Sequence, residues 1–223
     1  MAKHDAPYAE AERLRINGSA AEDFREAIRL YQQYIELGGP GKRAAHHMIG
    51  VCYQRLHEYD EATEYYLIAQ EGASDYERGN IERDMAESYG ALGEYELAEI
   101  SLATSLGLLP YEQYPEEHAA SLGFLARLQL RRGQIAEAVE TFADADQRLH
   151  AGSNRHTELY NKLHYAAALS RKGSKIKARH VAFECLKLSF AKNPATGRRY
   201  GSRQHHLRAL ALLVGGHRLE SSP

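Results

Sequence analysis

Large apolar residues recur along this chain at three- and four-residue spacing, in long runs separated by short polar or glycine-rich turns. Over 22–37 the apolar set is Phe24, Ala27, Ile28, Leu30, Tyr31, Tyr34 and Ile35, a stripe wide enough to bury most of one side of a helix. Over 42–56 it is Ala45, Met48, Ile49, Cys52 and Tyr53. The same period predicts helices over 59–72, 75–92, 95–108, 115–132, 135–151, 155–171 and 176–190. A shorter one at 8–16 is stopped by Asn17-Gly18, and a last one spans 200–214. Pro115 followed by two glutamates suits a helix first turn, and Ser153-Asn154 suits the cap of the helix at 155.

These helices come in pairs, because one block of sequence is written five times. ALGEYELAEISL (91–102) aligns without a gap to 20–31, 55–66, 131–142 and 171–182. Each copy carries a polar or glycine turn and then an alanine: Ala27, Ala62, Ala98, Ala138 and Ala178. The alanines fall 35, 36, 40 and 40 residues apart, the period of stacked helical hairpins. Small residues let paired helices cross closely, so a leucine at Ala98 or Ala138 should overpack and cost about 1 to 3 kcal/mol.

Composition narrows the class without changing this picture. The 223 residues are 43% hydrophobic and 26% charged, ordinary for a folded chain, and are expected to form one elongated domain over 1–214 with a frayed tail at 215–223. No membrane span or secretory leader is read, so a cytoplasmic protein is expected. Cys52 and Cys185 lie within helical patterns and read as small core residues. The net charge of −2 hides an asymmetry: residues 171–223 hold 12 Lys or Arg and two acids, and the first 170 hold 16 against 28. Such a split suits head-to-tail self-association or an anionic partner for the basic end, as well as plain solvated faces.

With the units laid out, they resemble tetratricopeptide repeats. The residues that carry the likeness are Ile49, Gly50, Tyr53, Tyr59, Ala62, Tyr66 and Ala69 in the second unit, and Met85, Ala86, Tyr89, Gly93, Tyr95, Ala98, Leu102, Ser105 and Pro110 in the third. In the fourth they are Leu125, Ala126, Gly133, Ile135, Ala138, Phe142 and Ala145, and in the fifth Ala166, Gly173, Ala178 and Cys185. The likeness covers 8–190, and the long spacing of the later units is similar to the repeats of kinesin light chains and bacterial signalling regulators. It implies an all-α fold: a right-handed α-solenoid of about five helix-turn-helix units (8–38, 42–73, 75–110, 115–152 and 154–190) with a C-terminal capping helix.

In that family the leading helix of each pair lines a concave face that holds a peptide or partner helix. Carried over, the face takes His47, Val51, Gln54 and Arg55, then Arg83, Glu87 and Ala91, then Arg127, Leu130 and Arg131, then Leu163, Ala167 and Arg171. Five arginines against Glu87 would favour an acidic segment or a free carboxylate, which guanidinium forks bind in a bidentate way. The alternative is that the arginines lie over helix ends and pair with Glu58, Glu94 or Glu137. His47 and Val51 stand where the chaperone-tail carboxylate clamp needs lysine and asparagine, which argues against that role.

Motifs for catalysis do not survive inspection. Leu37–Arg43 lacks the first glycine and the Ser or Thr of a phosphate loop, HEYDE at 57–61 lacks the second histidine of a zinc helix, and His46-His47 and His205-His206 are adjacent pairs that point apart. Asn17-Gly18-Ser19 reads as a turn. The sequence therefore predicts a non-enzymatic adaptor that binds a peptide or protein and needs no cofactor or metal. One alternative is a peptide-responsive regulator. The other is nucleic-acid or anionic-partner binding through Arg198, Arg199, Tyr200, Arg203 and Arg208, where sparse aromatic interleaving speaks against nucleic acid.

Overall fold

The computed structural model describes residues 3–149, 155–192 and 203–213. Among these residues the chain is all α-helix, without a strand, in eleven helices. They are α1 (Asp5–Asn17), α2 (Ala21–Glu36), α3 (Lys42–Arg55), α4 (Tyr59–Gln70), α5 (Asp75–Leu92), α6 (Tyr95–Leu108), α7 (Pro115–Arg131), α8 (Ile135–Arg148), α9 (Arg155–Arg171), α10 (Lys175–Phe190) and α11 (Arg203–Leu213). The predicted helices are all present. The first begins earlier than expected because Asp5 opens it and Pro7, fixed in φ and lacking an N–H, fits a helix first turn. Ser153, Asn154 and the tail 215–223 lie outside the described residues.

The chain divides into two compact units, residues 1–108 and 109–223. In the first, α1 to α6 each pack on the next in chain order; in the second, α7 to α11 do the same. The repeated alanines mark the crossings. Ala27, Ala62, Ala98 and Ala138 have no exposed surface and Ala178 has 2%, so the helix backbones meet where the side chain is smallest. Gly50 makes a similar approach possible between α3 and α4: a methyl group there would stand 2.5 Å from the Tyr66 ring.

The core of the first unit holds Tyr31, Tyr34, Ile49 and Cys52 between α1, α2 and α3, and Ala62, Tyr66, Ile81 and Met85 between α4 and α5. In the second unit Phe142, Tyr165, Leu169 and Val181 fill the space among α7, α8, α9 and α10. The last helix covers the end of this stack: Ala209 is buried with Leu159, Leu163, Cys185 and Leu188, and Leu212 and Leu213 pack on the neighbouring cluster. It is the capping helix that the sequence predicts. Both cysteines are free and buried, and burial pushes the Cys52 thiol up to about 12.

The turns between paired helices show one repeated device. Gly93, Gly133 and Gly173 sit at φ 85°, 76° and 85°, the left-handed region that a residue without a Cβ adopts at little cost. His57 occupies the equivalent place in the second pair at φ 62°. Among the described residues no helix is long and apolar enough to cross a membrane.

Candidate partner-binding surface

The residues predicted to line a binding face fall in two groups, one in each unit. In the first unit, α3 presents His47 and Gln54, seven residues apart on one side of the helix, towards α5. Both reach Asp84. His47 Nε2 lies 2.9 Å from an Asp84 carboxylate oxygen, and Gln54 Nε2 donates to the Asp84 carbonyl at 3.0 Å and to Ser88 Oγ at 3.4 Å. Arg83 Nε donates to the other Asp84 oxygen at 3.2 Å, and its Nη1 donates to Asn80 at 2.8 Å. The side chains of His47, Arg83 and Asp84 are each only 16% exposed.

Burial raises the Asp84 carboxyl, but the Arg83 guanidinium and the His47 ring outweigh it and hold the acid below the ordinary carboxylate range. Three of the predicted site residues are thus engaged with one acid that the periodicity did not single out. His47 and Gln54 tie α3 to α5, and Arg83 pairs with Asp84 within α5. Arg55, at the end of α3, is exposed, while Glu58 pairs with Arg25 at 2.6 Å. Across this turn the carboxylate goes to the preceding helix pair.

The second unit is arranged differently. The Arg127 guanidinium on α7 lies 3.9 Å from the centre of the Phe124 ring and 4.7 Å from that of Tyr160 on α9. Tyr160 meets His164 edge to face at 4.7 Å, and His164 lies parallel to the buried Phe142 ring at 6.5 Å. Cation–π contact of this kind holds a guanidinium in place without neutralising its charge. Burial pushes the His164 imidazole well below its ordinary range, and Arg127, Arg208, Arg131 and His205 push it the same way. The charges that act most strongly on this ring are all positive. Arg127 and Arg131 of α7 and Arg208 of α11 thus add their charge to burial in disfavouring protonation of this α9 ring.

Other predicted positions sort by burial. Leu130 and Leu163, expected on the face, are buried at 7% and 5% exposure, Leu130 in the cluster of Phe142 and Tyr165 and Leu163 among residues of α10 and α11. At Gly123 of α7 a methyl group would stand 2.1 Å from Asn161 Oδ1. Asn161 is itself buried and donates to the Ala119 carbonyl at 3.3 Å. Arg131 and Arg171 are exposed at the ends of α7 and α9. Arg208 is exposed on α11, while Arg198, Arg199 and Tyr200 lie outside the described residues, as does the side chain of Arg203. Sequence reading missed His164 and Asp84, whose only signal is a titratable residue set among the apolar positions of a leading helix.

No protein-family model matches the sequence, and a search of curated proteins matches nothing. Among solved structures the chain is similar to the nearly identical TPR-like repeats of a kinesin-light-chain-like protein from Podosopora anserina, at 20% identity and a TM-score of 0.60 over 82% of this chain and 93% of that one. It is also similar to BtubC (BKLC) from P. vanneervenii, at 18% identity and a TM-score of 0.62 over 90% and 94%. With helices that pair in chain order across a buried alanine, and with solved repeats superposing on most of its length, the chain has the tetratricopeptide-type helical-repeat fold.

Proposed function

We propose that this protein is a non-enzymatic adaptor of the cytosol whose leading helices bind a peptide or partner protein, and that the second unit takes an acidic segment of that partner. The observation that carries the reading is the Arg127 guanidinium held against the Phe124 and Tyr160 rings, with Arg131 exposed further along α7. Guanidinium groups form charge-assisted hydrogen bonds with carboxylates, and the Phe124 and Tyr160 rings offer apolar contact beside Arg127. In the first unit His47 and Gln54 brace α5 at Asp84 and Arg83 pairs with the same acid, so Arg55 is the predicted residue that faces a ligand there. Arg171 extends the cationic surface of α9.

A fluorescence titration with a glutamate-rich peptide and its glutamine counterpart tests this. The acidic peptide should bind, more weakly as salt rises, and the neutral one should not. Replacing Arg127→Gln together with Arg131→Gln should weaken binding by about tenfold or more, a loss of about 1.4 kcal/mol. His47→Ala should leave it within about twofold. Equal affinity of the wild type and the arginine variant would remove the assignment.

A further inference from the structure

The outer face of α10 is unlike that of a solvated helix. Ile176, Phe183 and Phe190 are 88%, 48% and 49% exposed and stand seven residues apart, so they line one side of the helix with a drift of only about 20° per step. Exposed cations flank them: Lys175, Lys177, Arg179 and Lys187. The Lys187 ammonium lies 4.5 Å from the Phe183 ring. At the start of the helix an open hollow of about 730 Å³ adjoins Gly173, Ile176 and His180.

A counterpart exists on the same chain. On α4, Leu67 and Ile68 are 51% and 44% exposed. Glu64, Leu67, Ile68 and Glu71 follow at the spacing that shares one helix face, and Asp60 and Glu61 are exposed on the first turn. The helix carries no Lys or Arg. The pairing repeats at the level of the units: residues 1–108 hold 20 Asp or Glu and 10 Lys or Arg, a formal −10, while residues 109–223 hold 10 and 18, a formal +8.

We propose that the α10 face of one molecule docks on the α4 face of a second copy, apolar stripe on apolar stripe with lysine and arginine against glutamate and aspartate. The two surfaces differ, so the contact is heterologous and a docked pair keeps one free α4 face and one free α10 face; association can continue beyond a dimer. The proposal uses trailing helices and does not depend on the peptide reading of the leading ones. One helix face on another is a small contact, so the affinity should be weak, on the order of tens of micromolar.

Sedimentation velocity across concentration, at low and high salt, tests it. The wild type at about 100 µM in low salt should exceed the mass of one chain and return to it in high salt. Two charge-reversed variants should each stay single: Arg179→Glu with Lys187→Glu, and Glu61→Lys with Glu64→Lys. Mixed in equal amounts, they should form a complex, because the reversed α10 of one then meets the reversed α4 of the other and the native α10 of the second meets the native α4 of the first. All four positions are at the surface, and circular dichroism would confirm that the variants fold. A single-chain mass for the wild type at that concentration would overturn the proposal, and so would association that ignores the charge reversals. A single-chain protein that pelleted with anionic vesicles would also overturn it, assigning the α10 face to a membrane surface instead.

Discussion

His57 carries a side chain in a conformation that three other turns give to glycine. The left-handed region costs a residue with a Cβ about 1 to 2 kcal/mol, and a glycine loses part of that advantage through its extra freedom when unfolded. What offsets the cost at His57 is an exposed contact: its Nδ1 lies 2.7 Å from the Tyr59 hydroxyl, and the two rings meet edge to face at 5.8 Å. An exposed hydrogen bond contributes little, so His57→Gly should stabilise the first unit by about 0.5 kcal/mol, read as a higher denaturation midpoint. Asp84 supplies the opposite case. Its folded pKa lies below the unfolded value of about 3.9, so the stability it contributes is complete above that pH and is lost as pH falls through the folded value. Asp84→Asn should cost about 1 to 3 kcal/mol at neutral pH, since it leaves Arg83 and His47 without their buried acid. The variant should also lose less further stability than the wild type between about pH 5 and pH 3, which denaturant titrations at each pH would resolve.

At the scale of helices, most of the molecule is legible in the sequence. Seven helices begin and end where the periodicity and turn residues put them to within a residue at each end, including α5 at Asp75–Leu92, whose Ser74 cap accepts from the Glu77 N–H while Glu77 accepts from the Ser74 N–H. The binding face was legible only in part, for a physical reason. Heptad position tells which side of a helix a residue is on, but how much of that side a neighbouring helix covers is set by the size of the residues at the crossing. Gly123 lets α9 approach α7 at Asn161, while Leu163 is covered by Cys185 and Leu188 of α10 and Ala209 of α11. Ionic partners were less legible still, because His47 and Asp84 are 37 residues apart and meet only when α3 lies beside α5. Gly123→Ala should therefore destabilise the second unit by about 1 to 3 kcal/mol by displacing the Asn161 amide from Ala119. Combining it with Asn161→Ala should cost less than the sum of the two single changes, a coupling that a double-mutant cycle measures.

For the whole molecule, the repeat period foretold the class of architecture. The period did not foretell that the contacts divide at residue 108, since the repeated letters continue across that point. The division and the asymmetry have a joint consequence. The intact chain is isoelectric near pH 6.6, yet at that pH neither portion approaches neutrality: one keeps its surplus of carboxylates and the other its surplus of ammonium and guanidinium groups. Zero net charge is here the cancellation of two large opposite ones. Simple electrolyte should therefore dissolve this protein rather than precipitate it around its isoelectric point, because dissolved ions loosen the attraction between unlike portions of neighbouring molecules.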